Sequence, residues 1–236
     1  MAKGKKVVFV IVEGLSDSEA LENLINKHFS KNTVYVKVMH CDITTEKGTN
    51  SQNILKKVTE VVKTYALSNH FSRSHFQQVI HILDTDGAYI PDENIVFDSK
   101  CSSPKYYDEK ILTKNIDGIK RRNQIKSGCL DVLSRTSLIW SSIKYQAYYM
   151  SCNLDHVLYI KRNLTDEDKE KLSSAFANKY KNDLEGFKKF ICNNDSIFKQ
   201  NLTYRESWDF IRNGCNSLKR FSNFGKCFLE QLDDWL

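Results

Sequence analysis

The sequence predicts an α/β fold: a parallel four-stranded sheet flanked by helices, with a helical C-terminal extension. Three observations predict it. β-branched runs alternate with amphipathic stretches over the first 83 residues, in the order β-α-β-α-β. An aromatic-rich run near residue 145 supplies a fourth strand, and from Leu154 onward only helical patterning remains.

Each element has a local cause. Lys6 to Val12 is a continuous β-branched run, the pattern of a strand buried on both faces. Ser16 to His28 places Leu21, Leu24 and Ile25, with Phe29 just beyond, on one helical face, and Ser16 is positioned to cap it. Thr33 to Met39 alternates through Val34, Val36 and Val38. Ser51 to Leu67 carries Ile54, Leu55, Val58, Val61, Val62 and Tyr65 on one side of a helix, and Gln78 to Leu83 is the third strand. Residues 85 to 104 read as a polar loop holding both prolines, Pro91 and Pro104, and Lys105 to Ser142 as mostly helical. Tyr145 to Met150 is the fourth strand, and Thr165 caps a helix opening with Asp166, Glu167 and Asp168. The last stretch, Phe224 to Leu236, has Phe228, Leu229, Leu232, Trp235 and Leu236 on an amphipathic helix that docks on the domain or presents a partner-binding face.

Composition bounds the function classes. The chain has 236 residues, long enough to bury a core without disulfides. No stretch approaches the roughly 18 apolar residues of a membrane helix. The apolar run after the basic start is too short for a signal peptide and is followed by Glu13. Seven scattered cysteines with no CxxC pair argue against a zinc site or disulfide framework and fit a reducing cytoplasm. A net charge of +6 permits a polyanionic partner without establishing one.

Two segments carry chemistry. In Val10-Ile-Val-Glu-Gly-Leu-Ser-Asp17, Glu13 ends a buried strand, Gly14 permits a tight turn and Asp17 enters the first turn of a helix. In Ile80-His-Ile-Leu-Asp-Thr-Asp-Gly87, Asp84 and Asp86 end another buried strand, and two residues apart in extended chain their side chains point the same way. Functional crevices of open parallel sheets lie at the carboxyl ends of strands. If the first and third strands are neighbours, these acids converge and require a cation. Hard oxygen ligands select Mg²⁺ or Mn²⁺, which activates water and offsets charge on a phosphoryl oxygen.

At these residues the chain resembles the Toprim fold of primases, type II topoisomerases and OLD-family nucleases. That family has Glu-Gly after its first strand and Asp-x-Asp after its third, matched here by Glu13-Gly14 and Asp84-Thr85-Asp86. Asp17 stands where OLD-type nucleases carry a second acid. The segment Ser151-Cys-Asn-Leu-Asp-His156 is similar to one in RloB-like Toprim proteins. The resemblance implies Asp155 as a further metal ligand and Lys161 as a group stabilising phosphate. It covers roughly residues 5 to 162 and implies a catalytic unit over 1–162, with 85–143 as a helical insertion, and an extension over 163–236. The implied activity is metal-dependent cleavage of DNA or RNA, tRNA among them, in anti-phage defence, with a separate ATPase as partner. The chain itself has no GxxxxGK[ST] loop.

Other features have plainer readings. Lys120, Arg121, Arg122 and Lys126 form a basic run that either tracks a phosphate backbone or is a solvated helix face. Tyr145, Tyr148 and Tyr149 pack the sheet or stack bases, His81 is a buried structural group, and His156 lies next to the site. Asp42 forms a turn or approaches the crevice. Asp84-x-Asp86-Gly87 also resembles the nucleophile motif of haloacid dehalogenase-like phosphatases, a reading that leaves Glu13 unexplained. A non-catalytic partner protein of the same fold is the third reading.

Overall fold

A computed structural model describes residues 6–29 and 34–229. The first half alternates as expected: β1 (Lys6–Val12), α1 (Leu15–Phe29), β2 (Val34–His40), α2 (Ile54–Ser68) and β3 (Phe76–Asp84). Then come three short strands, β4 (Ile95–Phe97), β5 (Lys105–Tyr106) and β6 (Ile111–Thr113), and α3 (Ile116–Arg135). Strands β7 (Leu138–Ile139) and β8 (Ile143–Met150) precede the helices α4 (Leu154–Tyr159), α5 (Asp166–Tyr180), α6 (Leu184–Cys192), α7 (Tyr204–Ile211) and α8 (Lys226–Leu229).

The main sheet has the order β2-β1-β3-β8-β7. β1 pairs in parallel with β2 and β3, and β3 with β8. β7 adds an antiparallel edge strand, so the sheet is mixed and has one strand more than the sequence predicts. β7 is two residues long, too short to show a period of its own. Residues 95–113 depart further from expectation: β4, β6 and β5 form a separate three-stranded sheet where the sequence reads as loop and helix. Each of these strands has at most three residues, and their partners are non-local.

Helices cover both faces of the main sheet. On one, Val8, Val10, Ile80, Ile82, Tyr148 and Met150 pack with apolar groups of α1, α4, α5, α6 and α8. On the other, Val7, Phe9, Ile11, Val79, Leu83, Tyr145 and Tyr149 pack against α2, α3 and α7. This explains why Val7 to Val12 is buried without interruption: β1 has a strand on each side and helices on each face. The three tyrosines of β8 are buried in these layers, as is His81, whose Nδ1 lies 2.9 Å from the Tyr145 hydroxyl.

Helix starts follow local chemistry. Thr165 accepts a hydrogen bond from Asp168 N at 3.2 Å, the cap expected from sequence. α1 differs: it begins at Leu15, so Ser16 lies inside it, and Asp17 turns back to accept the Gly14 N–H at 2.9 Å. No helix among the described residues is long and apolar enough to cross a membrane. Phe224 and Phe228 are buried at the end of the described chain, and Leu229 is exposed. Thr33, Leu232, Trp235 and Leu236 lie outside the described residues.

Candidate carboxylate site

The adjacency of β1 and β3 brings their terminal acids together. Ile11 pairs with His81, so Glu13 and the Asp84–Asp86 segment leave the sheet side by side. A single ammonium joins them. Lys126 Nζ lies 3.2 Å from Glu13 Oε2 and also bonds Asp86 Oδ2. Lys126 is 1 % exposed, while the Glu13 and Asp86 side chains keep 9 % and 21 %, so the acids form the open side of the site.

Each acid is held by a different local device. Glu13 Oε1 lies 3.2 Å from the Thr44 hydroxyl, which is equally close to Asp42 Oδ1. Asp42 also accepts the Thr45 N–H at 3.1 Å, so it organises the turn after β2 and remains near enough to Glu13 to repel it. Asp84 Oδ1 accepts the Leu154 N–H at 3.0 Å, at the start of α4. Asp86 is not in extended chain: its φ is +47°, and Gly87 follows at +66°. The expectation that Asp84 and Asp86 project in the same direction therefore fails, because the strand ends at Asp84 and the chain turns left-handed. Three contacts hold that turn. Asp86 N donates to Cys152 O at 2.7 Å, Arg122 Nη2 donates to Asp86 O at 2.7 Å, and the buried Thr85 hydroxyl donates to Ser217 O at 2.7 Å.

The acids titrate as a group. Burial lifts Glu13 to about 8 even though Lys126 pulls it down, and the charges of Asp86 and Asp42 add to the rise. Asp84 is raised well above the usual carboxylate range by burial, then by Glu13, Asp17 and Asp86. Asp86 goes the other way: burial raises it, but Lys126 and Arg122 together outweigh that and leave it low. Burial would lower Lys126, yet Asp86, Glu13 and Asp84 hold it strongly protonated. The charged pair of the resting site is therefore Lys126 with Asp86, and Glu13 holds a proton more readily.

Asp17 and Asp155 form an adjoining pair. Burial raises both, and Asp17 helps push Asp155 to about 6. Asp155 is 5 % exposed and its Oδ1 has no hydrogen-bond partner. Among the described residues, no group of three or more His, Cys, Asp or Glu side chains is disposed as a ready metal site. Lys126 stands between Glu13 and Asp86, two of the five carboxylates expected to hold a metal.

Models of known protein families, curated proteins and solved structures yield no match to this chain.

The other basic candidates fall elsewhere. Lys161 is exposed and, among the described residues, makes no ion pair with these acids, because α4 ends at Tyr159 and the chain turns away at Ile160, φ +61°. Its neighbour Arg162 instead contacts Asp108 and lies 2.7 Å from His156 Nε2. Burial and Arg162 push His156 down to about 4, which makes it a neutral acceptor. Lys120 pairs with Asp92 at 3.3 Å and Arg121 is exposed. Arg122 bonds the Tyr106 hydroxyl at 2.5 Å and Asp86 O, so it supports the site and is not part of a solvated stripe. Lys126 is the correction that matters most, since a side chain this buried is no solvated phosphate-tracking group. A signal for it was present. Ile119, Lys126, Leu130 and Leu133 fall on one buried stripe of α3, so a lysine interrupts an apolar face.

Proposed function

We propose that this chain is a divalent-metal-dependent phosphodiesterase of Toprim type that cleaves nucleic acid. The observation that carries the proposal is the meeting of Glu13 and Asp86, from the carboxyl ends of two adjacent parallel strands, at one buried cation, with Asp84 electrostatically coupled to both. The parallel order β2-β1-β3-β8 within the mixed sheet supports the same reading.

The donor set fits a hard divalent ion. Five carboxyl groups, Glu13, Asp17, Asp84, Asp86 and Asp155, interact within the site, and one of them has a buried oxygen with no partner. One ammonium cannot balance them once they ionise. Glu13, Asp84 and Asp86, with Asp17 and Asp155 beside them, are the residues that would hold Mg²⁺ or Mn²⁺. When bound, such an ion lowers the pKa of water and offsets charge on a phosphoryl oxygen. The chain's own groups orient the site: the Leu154 N–H aims Asp84, the Gly14 N–H aims Asp17 and the Thr44 hydroxyl steadies Glu13. With a divalent ion on the open side of the acids, Lys126 would stay behind them as the buried counter-charge of Glu13 and Asp86.

The test is incubation of the purified chain with mixed DNA, tRNA and other RNA in Mg²⁺ or Mn²⁺, alone and with an ATPase partner of the kind the resemblance implies. Cutting is expected, and Glu13→Gln and Asp84→Asn are each expected to reduce it more than about 100-fold, the scale of losing a catalytic group. A folded wild type that cuts nothing under any of these conditions sinks the proposal. Phosphate release from small phosphoesters that depends on Asp84 but not on Glu13 would assign the chain to the phosphatase class instead.

A further inference from the structure

A second candidate site lies away from the carboxylates. A cleft of about 980 Å³ opens beside the amino-terminal halves of β3 and β8, between the end of α3, the connection into β7, and α7. Val79 lines it, and five residues of strand at roughly 3.3 Å each separate Val79 from Asp84. The cleft is therefore about 17 Å from the acids along the sheet. We propose that this cleft binds a nucleotide: an anionic chain at its rim and a planar base against its inner wall. The proposal is independent of the phosphodiesterase reading.

Charge sets the class of ligand. Arg135, Lys144, Arg205 and Arg212 line the cleft against one acid, Asp209. Asp209 is already engaged, 2.9 Å from Arg212 Nη1. Arg212 is likewise committed inward, to Asp131 at 2.8 Å and to the Ser134 hydroxyl at 2.9 Å. Arg135 and Arg205 stand on different elements, one at the end of α3 and one on α7, and neither forms an ion pair among the described residues. Each guanidinium suits the bidentate geometry of phosphate oxygens.

The inner wall sets the rest. Trp208 is 1 % exposed and lines the cleft, yet its Nε1 is buried without an acceptor. A buried indole N–H ordinarily has a partner, so this one is a donor awaiting an acceptor atom. The Arg212 guanidinium lies 5.9 Å from the centroid of the same ring, and Leu138, 53 % exposed, offers apolar surface at the mouth. An aromatic base supplies what this wall lacks: a flat apolar face and ring nitrogen or carbonyl acceptors. The volume falls within the roughly 300–1,000 Å³ of small-molecule sites. An acidic peptide would satisfy the arginines but would not need the indole donor.

The test is a fluorescence titration of the full chain with N-methylanthraniloyl-ATP in EDTA, which keeps metal-bridged binding at the carboxylates out of the measurement. Saturable binding displaced by unlabelled ATP is expected, and Glu13→Gln should bind as well as the wild type. Arg135→Glu with Arg205→Glu, both at exposed positions, should weaken binding at least about tenfold. Trp208→Phe keeps an aromatic ring in the core but removes the N–H together with the pyrrole ring, and should weaken binding about five- to tenfold in a variant shown by circular dichroism to be folded. The proposal is overturned if the wild type shows no saturable binding, if the double charge reversal leaves affinity unchanged, or if inorganic phosphate competes as well as ATP.

Discussion

Replacing Lys126 with Met removes the ammonium and keeps most of the side chain's length and apolar volume, which isolates the charge. At an effective dielectric near 20, a carboxylate–ammonium pair in hydrogen-bond contact, as Lys126 is with Asp86, has a Coulomb energy of about 5 kcal/mol. Much of that is cancelled by the cost of burying Lys126, and the partial exposure of Asp86 lets water replace some of the rest. Removing one partner of a buried pair costs ~3–5 kcal/mol, so a loss of about 2–4 kcal/mol is expected at pH 8.5. The loss must depend on pH. In the wild type Lys126 holds Asp86 low, so that pair survives well into acid. Without Lys126, burial alone acts on Asp86 and raises it above its unfolded value. The folded variant then binds the proton more tightly than the unfolded chain, and its stability rises relative to wild type as pH falls through the raised Asp86 value toward the unfolded one. Urea denaturation at pH 8.5 and 5.5 checks this. A variant within about 0.5 kcal/mol of wild type at pH 8.5, the ordinary scatter of surface substitutions, or one equally destabilised at both pH values, would refute the reasoning.

Gly87→Ala tests the turn that carries Asp86. Gly87 has φ +66°, and a Cβ there would sit 2.5 Å from Leu218 Cδ2, so a loss of about 2 kcal/mol or more is expected in thermal or urea unfolding. Asp155→Asn tests the orphaned carboxyl. Burial lifts Asp155 to about 6, so its ionised form is disfavoured in the fold and stability falls as pH rises from about 4 to 6. The amide variant should be more stable than wild type by about 1–2 kcal/mol at pH 8, after allowance for solvent screening, and this advantage should vanish below pH 4. Metal-dependent cutting should fall in the same variant, which pairs a gain in stability with a loss of function.

Legibility tracked how local each signal was. The strands β1, β3 and β8 and the helices α1 and α2 carry their own apolar runs or faces, and the structure departs from the expected bounds by no more than three residues at each end. Glu13, Asp84 and Asp86 were legible because each stands where such a run stops. The direction of Asp86 was not, because its left-handed turn is imposed by Cys152, Arg122 and Ser217, which approach from distant parts of the chain. The small sheet of β4, β5 and β6 was hidden for a related reason: strands of two or three residues show no period.

By itself, the sequence determined the α/β class, the chain order of elements and the clustering of acids at strand ends, since hydrophobic periodicity and chain termination act over a few residues. The tertiary structure alone decided that Lys126 neutralises those acids. Lys126 is 40 residues from Asp86 and 113 from Glu13 in the chain, and only packing of α3 against the sheet brings the ammonium to them. An ion pair's energy depends on distance in space and on burial, and neither is written in local order.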